Sequence, residues 1–347
     1  MKIGIACYPT FGGSGAVATA LGHAIAARGH EAHFLSYAFP VKLSRTRAKI
    51  YFHKIEVSNY PLHLYPPYTT ALAAKMLQLE SRVDIFHMHY GFPHAIAAYL
   101  YHMASTCSRP YLVTLHGTDI TRESVDGFNV PLINLGLKHA AAITTVSKYL
   151  KEATKKTLCR NYNIDVIYNF LEESLFCPEG DSECGLKTPM PRLPKEIKVI
   201  THISNFRPVK RIGDVVDIFY RISRKVPSVL IMAGDGPEIP LARRLTKKYG
   251  IENQVYFLGS SRCVKAILKK SHLFLMPSAG ESFGLAALEA MSLGVPVIGT
   301  NAGGLPEVVE HGKHGFLYKI GDVKSMSGSG IKLLSDPELY KVFSRSA

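Results

Sequence analysis

Two glutamates separated by seven residues, Glu281 and Glu289, follow the end of a buried apolar run. The residues after Glu281 predict a helix over Gly284–Leu293, which Gly294 would end as a glycine stop. Glu289 would then lie on the second turn, and the first N–H groups of the helix would have no partner inside it. Those N–H groups can donate to a phosphate, while the carboxylates can accept from sugar hydroxyls. The spacing therefore favours a nucleotide-sugar site over the alternative, which is a pair of solvated helix glutamates.

A basic turn, Ser204–Arg211, follows the first predicted strand of the second half. Within it, Lys210 and Arg207 could neutralise the charge that develops on a departing diphosphate. The alternative is a solvated basic turn. No D-x-D motif, the usual pair of acids that hold a divalent ion on a diphosphate, occurs in the chain. We therefore expect cations and N–H groups to stabilise the leaving group, with no metal or other cofactor.

A glycine-rich loop, Gly12–Gly15, follows the first predicted strand and opens the first helix. Glycine lets a backbone approach a ligand closely, and a helix N-terminus favours anions. Gly13, Gly15 and Ala18 also satisfy the G-x-G-x-x-A form of the dinucleotide fingerprint. The second strand, however, ends without the acid that would bind a ribose, which disfavours an NAD-dependent oxidoreductase.

His116 follows the predicted strand Tyr111–Leu115 and precedes Gly117. Ligands bind at the carboxyl ends of the strands in open α/β sheets, so this position favours an exposed place in a binding cleft. The alternative for a lone histidine is a buried polar residue whose hydrogen bonds are satisfied within the fold. We predict a site role for His116.

Apolar strand-like runs alternate with helix-like segments in both halves of the 347-residue chain, which predicts parallel α/β layers. The strands predicted for the first half are Lys2–Cys7, Glu31–Ser36, Ile50–Glu56, Ile85–Met88, Tyr111–Leu115, Ala142–Thr145 and Asp165–Ile167, with a first helix at Thr19–Arg28. Those predicted for the second half are Lys198–Ile203, Ser228–Ala233, Gln254–Leu258, Leu273–Met276 and Pro296–Thr300. A proline- and glycine-rich stretch lies between the halves. We predict two Rossmann-like domains at residues 1–171 and 196–347, facing a central cleft and joined by a linker at residues 172–195.

Composition narrows the class of protein. The hydrophobic fraction of 47% and the charged fraction of 20% are ordinary for a globular protein, and no apolar run is long enough to span a membrane. The net charge of +14 could attract nucleic acid, anionic lipid or small acidic substrates. Because no RNA-binding or helix-turn-helix motif accompanies the scattered cations, we expect acidic small-molecule substrates, with neither nucleic acid nor stable membrane insertion. The sequence leaves open whether the protein forms a homodimer.

The cysteines include no C-x-x-C pair, and the N-terminal apolar stretch is too short for a signal peptide. We therefore expect reduced thiols in a cytoplasmic protein. Cys177 and Cys184 could pair or bind a metal, but no cluster of histidine or cysteine surrounds them in the sequence.

The E-x7-E motif and the sequel Gly294–Ile298 resemble the retaining glycosyltransferases of glycosyltransferase family 4, which have the GT-B fold. The resemblance implies that Glu281 approaches the donor sugar, that Glu289 accepts hydrogen bonds from the nucleotide ribose, and that His116 contacts the transferred sugar. Most family members carry an arginine at the position of Asn205, so Arg207 is expected to supply the second cation beside Lys210. The catalytic set implied is therefore His116, Glu281, Lys210 and Arg207. The donor-binding set implied is Gly13, Gly15, Asn205, Gly234, Ser282, Phe283, Gly284, Leu285 and Glu289.

The motifs of the first half are more specific than the fold. Those at Gly12–Gly15, His87–Tyr90, Leu115–Thr121 and Val166–Phe170 resemble one branch of this family. Members of that branch use UDP-GlcNAc as donor and L-malate as acceptor in the first step of bacillithiol biosynthesis. The resemblance implies transfer to the malate hydroxyl with retention at the anomeric carbon. The residues that could hold the dianionic acceptor are Ser14, Tyr90, Thr118 and Asn169, although packing is the alternative for Tyr90 and a turn for Asn169.

Two other interpretations stay open. One is a family 4 transferase with a lipid-linked or glycan acceptor, and the other is a non-catalytic, nucleotide-binding remnant of the GT-B fold. The remnant is considered because family chains end in a helix that crosses back onto the first domain, whereas this chain ends at Ala347 before that helix. Gly328 and Gly330 also fall in a predicted helix, where each would cost roughly 1 kcal/mol relative to alanine.

Overall fold

The computed structural model describes residues 1–10, 12–44, 48–57, 67–121, 129–171, 193–194, 196–260 and 264–347. The chain divides into two compact units, Met1–Glu172 and Glu173–Ala347. Apart from Leu193 and Pro194, the predicted linker lies outside the described residues. Cys177, Cys184 and Cys263 lie outside them as well. Cys7, Cys107 and Cys159 are free thiols.

The first unit is built on a seven-stranded parallel sheet in the order β3-β2-β1-β4-β5-β6-β7. Its strands are β1 (Lys2–Ala6), β2 (Glu31–Ser36), β3 (Ile50–Lys54), β4 (Ile85–His89), β5 (Tyr111–Leu115), β6 (Ala142–Thr145) and β7 (Asp165–Val166). Its helices are α1 (Ser14–Ala27), α2 (Tyr68–Leu79), α3 (Ile96–Ala104), α4 (Thr118–Thr121), α5 (Val130–Lys138) and α6 (Lys148–Leu158). The strand order reverses between β1 and β4, and ligands bind at such a switch point in open α/β sheets.

The second unit is built on a six-stranded parallel sheet in the order β10-β9-β8-β11-β12-β13. Its strands are β8 (Lys198–Ile203), β9 (Ser228–Ala233), β10 (Val255–Gly259), β11 (Leu273–Met276), β12 (Val297–Thr300) and β13 (Gly315–Tyr318). Its helices are α7 (Ile212–Ser223), α8 (Ile239–Tyr249), α9 (Val264–Leu268), α10 (Leu285–Met291), α11 (Val323–Ser335) and α12 (Pro337–Ser346). The predicted α/β class is therefore confirmed, and this sheet reverses its order between β8 and β11.

Each predicted strand is present, and the ends differ by no more than two residues. The sequence interpretation missed β13, a four-residue strand that begins at a glycine. Gly315 pairs with Val297, and a Cβ at Gly315 would lie only 1.9 Å from the Val297 carbonyl oxygen. Gly315 therefore makes this close approach possible. The same glycine weakens the sequence signal for a strand, because glycine has a low strand propensity.

The first helix begins at Ser14, five residues before the predicted start at Thr19. Its first turn contains Gly15, a poor helix former. A Cβ at Gly15 would lie 2.5 Å from the Tyr8 carbonyl oxygen and 2.7 Å from Thr10 Oγ1. Close packing of the glycine loop against the helix start therefore overrides local propensity.

Gly328 and Gly330 do lie in a helix, α11. A Cβ at Gly330 would meet Ile222 Cδ1 of α7 at 2.5 Å, whereas nothing lies within 4 Å of one at Gly328. Gly330 is therefore explained by close packing of α11 on the buried core around Phe219 and Ile222, and nothing in the structure explains Gly328. Across the described part of the chain, no helix has the length and apolar character needed to cross a membrane.

Candidate active site

Lys210 and Glu281 form an ion pair in the second unit. Lys210 ends the short 3₁₀ turn Pro208–Lys210 after β8, and its Nζ lies 2.6 Å from Glu281 Oε1. The side chains are 18% and 11% exposed, so protein atoms cover most of each charged side chain. The loops that carry them are joined by the Ala279 N–H, which donates to the Val209 carbonyl at 2.7 Å. Two of the four predicted catalytic residues are therefore brought together.

The turn formed by Gly303 and Gly304 holds the backbone of Glu281 in place. Gly303 has φ +65°, and a Cβ there would lie 2.3 Å from the Glu281 carbonyl oxygen. The Gly304 N–H donates to that oxygen at 2.7 Å, and a Cβ on Gly304 would lie 2.4 Å from the Ser282 carbonyl oxygen. Two adjacent glycines let one backbone lie directly on another, because neither carries a side chain at the contact.

Helix α10 carries Glu289 on its second turn, as predicted. Gly284 precedes it with φ 105°, a left-handed conformation that favours glycine. At the other end, the Gly294 N–H donates to the Met291 carbonyl at 2.8 Å and the Val295 N–H donates to the Ala290 carbonyl at 3.1 Å. This pair of bonds, with φ +70° at Gly294, is a Schellman motif, so the predicted glycine stop is confirmed.

The turn around Gly234 lies against the loop that leads to Lys210. A Cβ at Gly234 would meet the Ser204 carbonyl oxygen at 1.8 Å, and one at Gly236 would meet the Asn205 carbonyl oxygen at 2.1 Å. Asn205 itself is exposed. The predicted donor-binding residues Asn205 and Gly234 therefore belong to two backbone segments in direct contact.

His202 supports this loop, and the sequence interpretation missed it. Its Nδ1 lies 2.8 Å from the Leu275 carbonyl oxygen, so Nδ1 carries the proton and donates it. Nε2 then accepts from the Ser204 hydroxyl at 2.8 Å, and Ser204 Oγ in turn accepts from the Phe206 N–H at 3.2 Å. Burial lowers the pKa of His202 to about 4. The signal available in the sequence was a histidine one residue before the end of the apolar strand Lys198–Ile203.

In the first unit, Gly13 caps α1 with φ 59°, and Ser14 is buried in its first turn. The Thr10 hydroxyl donates to the Gly12 carbonyl at 3.0 Å, which closes the glycine loop. Gly13, Ser14 and Gly15 therefore lie together at the carboxyl end of β1 and the N-terminus of a fourteen-residue helix. Such a helix end suits an anionic group.

Tyr90, His116 and Thr118 are also brought together. The Tyr90 ring stacks on the His116 ring with centroids 5.7 Å apart and an interplanar angle of 18°. The Tyr90 hydroxyl lies 2.5 Å from Thr118 Oγ1. Tyr90 has φ 104°, which is strained for a residue with a side chain. Backbone strain of this kind, about 1–3 kcal/mol, is concentrated at functional sites.

The buried carboxylate of Asp119 fixes both loops that carry these groups. It accepts from the Gly117 N–H at 2.7 Å, from the Gly91 N–H at 2.9 Å and from the His116 N–H at 3.1 Å. Burial raises the pKa of Asp119, and the three N–H donors oppose that rise. Asp119 lies within the Leu115–Thr121 motif, but no role was predicted for it from the sequence.

Burial also keeps the histidines of this region neutral. It lowers the pKa of His116 and of His87 to about 3 and that of His94 to about 4. At His116, the neighbouring His87 and His94 add to the effect of burial, because a charge on either would disfavour a charge on His116. His116 is therefore a neutral imidazole near pH 7, suited to hydrogen bonding rather than to carrying charge.

Asn169 and Arg207 are not joined to these groups by the described contacts. Asn169 is partly buried after β7, and Arg207 is exposed beside Phe206 and forms no ion pair with a described residue. Their predicted roles stay predictions. Within the described ranges, no group of three or more histidine, cysteine, aspartate or glutamate residues could hold a metal ion.

Comparison with known proteins covers both units. Residues 11–175 match the family model "Glycosyltransferase Family 4", and residues 189–347 match "Glycosyl transferases group 1". The chain is 42% identical to the N-acetyl-alpha-D-glucosaminyl L-malate synthase of Bacillus anthracis over 98% of this chain and 89% of the relative. The chain belongs to glycosyltransferase family 4.

Solved structures agree with this family 4 fold. Anabaena HepE, solved in complex with UDP and glucose, is 21% identical, with a TM-score of 0.81 over 100% of this chain and 93% of that chain. Sucrose-phosphate synthase from Thermosynechococcus elongatus is 18% identical, with a TM-score of 0.79 over 100% of this chain and 92% of that chain. At such identities the likeness establishes the fold alone, and the fold is that of a GT-B glycosyltransferase.

Proposed function

We propose that this family 4 glycosyltransferase moves N-acetylglucosamine from UDP-GlcNAc to the hydroxyl of L-malate, as the first step of bacillithiol biosynthesis. The observation that carries the proposal is the 42% identity to the Bacillus anthracis synthase over 98% of the chain. Both units share in that match, so it includes the Gly12–Gly15 loop, His116 and the Glu281–Glu289 segment alike.

The donor half of the proposal rests on the second unit. Lys210, paired with Glu281 at 2.6 Å, is already at the loop that would meet the diphosphate, and Arg207 is the second cation we assign there. The backbone segments at Asn205, Gly234 and Ser282–Leu285 would bind the nucleotide and sugar, and Glu289 would accept from the ribose hydroxyls. Cations and N–H groups acting on the departing diphosphate make a divalent metal unnecessary in this proposal.

The acceptor half rests on the first unit. Malate is a small dianion, and Ser14 at the α1 N-terminus, Tyr90, Thr118 and Asn169 offer hydroxyl and amide hydrogen bonds for its carboxylates. His116 would contact the transferred sugar. Positive net charge would draw both anionic substrates to the protein.

Retention requires the malate hydroxyl to attack the anomeric carbon from the face that UDP leaves. The bond from that carbon to the β-phosphate oxygen breaks as the bond to the malate oxygen forms. The hydroxyl proton passes to the departing β-phosphate, so no separate carboxylate base is assigned.

The test incubates the protein with UDP-GlcNAc and a panel of hydroxy acids and follows products by mass. We expect one product, with the mass of GlcNAc-malate, and release of one UDP per product. Glu281→Ala and His116→Ala should abolish it, whereas Glu252→Ala, on an exposed turn, should not. Succinate, which keeps both carboxylates but lacks the hydroxyl, should inhibit competitively and receive no sugar.

Equal transfer to neutral alcohols, with no inhibition by succinate, would contradict malate as acceptor and leave the glycosyltransferase assignment intact. Transfer only to a lipid-linked or glycan acceptor would support the alternative acceptor class. Binding of UDP without any transfer would support a non-catalytic remnant.

A further inference from the structure

His89 is a buried histidine with one unpartnered ring nitrogen. It ends β4, is 1% exposed, and lies between His87 and Tyr90 in sequence. Its Nε2 is sealed from solvent and has no hydrogen-bond partner among the described residues. Its Nδ1 lies 2.9 Å from Nε2 of His116. The only described polar contact of the His89 ring is therefore the one with His116.

The two rings meet edge to edge. Their planes differ by 27° and their centroids are 5.1 Å apart, the separation that nearly coplanar rings joined through a nitrogen–nitrogen contact of 2.9 Å require. A hydrogen bond between two neutral imidazoles needs one N–H donor and one lone pair. The contact therefore allows two arrangements, which differ in which histidine donates.

The backbone of His89 is held from the other side. His94 Nδ1 donates to the His89 carbonyl oxygen, and His94 Nε2 therefore accepts from the Tyr68 hydroxyl at 3.1 Å. His87 stacks on the His89 ring with centroids 4.2 Å apart. These contacts leave His89 little freedom to turn its ring and to exchange its two nitrogens.

The unpartnered Nε2 decides between the two arrangements. If His116 donated, the His89 proton would have to sit on Nε2 as a buried N–H with no acceptor. If His89 donates from Nδ1, only a lone pair is left without a partner at Nε2. Buried N–H groups without an acceptor are rarer in proteins than acceptors that lack a donor. The second arrangement is therefore favoured.

We propose that His89 is a positioning residue that donates from Nδ1 to His116 and so fixes the neutral tautomer of His116 with its proton on Nδ1. His116 Nδ1 has no described partner and is not sealed from solvent. It would present an N–H donor to an oxygen of the bound sugar. The assignment of the His116 tautomer rests on the geometry alone, whereas the contact with the sugar rests on the proposed function.

The first test is spectroscopic and independent of activity. The full chain, labelled with ¹⁵N-histidine, is studied near pH 7 by two-bond ¹H–¹⁵N correlation, which separates the two neutral tautomers. The His116 signals are assigned by their loss in His116→Gln. We expect His116 protonated on Nδ1 and His89 on Nδ1. A His116 ring protonated on Nε2 would overturn the proposal even if the enzyme transfers sugar normally.

The second test uses three variants. His89→Asn retains an N–H donor near Nδ1, His89→Leu removes it, and His102→Asn replaces a partly buried histidine of α3 as the control. In His89→Leu we expect mixed His116 tautomers and a kcat lower by about tenfold or more, with KM for UDP-GlcNAc changed much less. His89→Asn should recover the Nδ1 tautomer and most of kcat.

Loss of activity in both His89 variants, with the His116 tautomer unchanged in both, would show a merely structural role for His89 and overturn the proposal. If a variant does not fold, the tautomers of His89 and His116 in the unsubstituted protein still decide whether the proposal holds. Absence of transfer to malate in the unsubstituted protein would count against the proposed function and leave the tautomer result standing.

Discussion

Lys210 Nζ lies 2.6 Å from Glu281 Oε1, so a cation from the loop after β8 and a carboxylate from the loop after β11 form one mostly buried pair. Neither charge can be removed without leaving the other short of a partner. In the proposed reaction, Lys210 has to share its charge between Glu281 and the departing diphosphate. The pair therefore couples the stability of the loops to the placement of the catalytic cation.

This coupling can be measured by a double-mutant cycle on Lys210→Met and Glu281→Gln. Each single change should lower the free energy of unfolding by about 1–2 kcal/mol, because a mostly buried charge loses its partner. The double variant should lose less than the sum, with a coupling of about 1 kcal/mol or more. Urea unfolding supplies the values.

The exposed pair Lys313 and Glu310, at 2.9 Å with side chains 56% and 62% exposed, is the matched control. Its coupling should be much smaller than that of Lys210 and Glu281, because water screens both charges. If the losses of the two single variants add up to that of the double variant, the interaction between Lys210 and Glu281 contributes nothing to stability.

Gly303→Ala should disturb Glu281 through its backbone. The new Cβ would lie 2.3 Å from the Glu281 carbonyl oxygen at a residue with φ +65°. Gly312→Ala is the control, because Gly312 has φ +84° but nothing within 4 Å of its Cβ. We expect Gly312→Ala to cost about 1 kcal/mol from strain alone, and Gly303→Ala at least twice as much. Equal losses by urea unfolding would mean that the contact with Glu281 is relieved cheaply.

Glu289→Ala should weaken UDP binding. A charge-assisted hydrogen bond to a ribose hydroxyl contributes about 1.5–3 kcal/mol, so the dissociation constant should rise by about 10- to 100-fold. Titration calorimetry measures it, with Glu252→Ala as a glutamate control on an exposed turn of the same unit. An unchanged constant in Glu289→Ala would remove this residue from the site.

The buried neutral histidines should make the fold acid-labile. His202 takes up a proton near pH 6.5 when unfolded but only near pH 4 when folded, while Lys210 disfavours its charge and Glu281 favours it. The unfolded chain therefore binds more protons between these values, so stability is fully present above pH 6.5 and falls as the pH drops towards 4. The loss is about 1.4 kcal/mol per pH unit for each such histidine.

His202→Asn tests this dependence. Asparagine keeps a donor for the Leu275 carbonyl but loses the acceptor for Ser204, so the variant should be less stable at pH 8 by about 1–3 kcal/mol. Its free energy of unfolding should also fall less steeply between pH 6.5 and 4 than that of the unsubstituted protein. Parallel curves would show that His202 does not titrate on unfolding.

Transfer should survive removal of divalent metal. Lys210, Arg207 and backbone N–H groups can carry the diphosphate charge in the proposed mechanism. Initial rates after dialysis against EDTA should match the untreated protein at equal ionic strength. A strict magnesium requirement that added sodium chloride cannot replace would overturn this mechanism.

Much of the fold could be predicted because the residues of one short segment specify each strand or helix. Buried parallel strands are continuous apolar runs, so β1 to β12 could be located from the chain alone. The stop of α10 at Gly294 and the place of Glu289 on its second turn follow from local glycine chemistry. The E-x7-E motif and the His116 motif predicted the family for the same reason, since each lies within one strand–loop–helix unit.

Tertiary structure alone decided what depends on contacts between distant segments. The pairing of Lys210 with Glu281, the bond from His89 to His116 and the bracing of two loops by Asp119 join residues that no local pattern connects. Strand β13 and the early start of α1 were missed because close backbone packing there selects glycine against local propensity. The spacing of residues along a chain reports local geometry. A site, however, is assembled where the ends of separate strands lie side by side. Which strand ends are neighbours is decided only by the folded sheets.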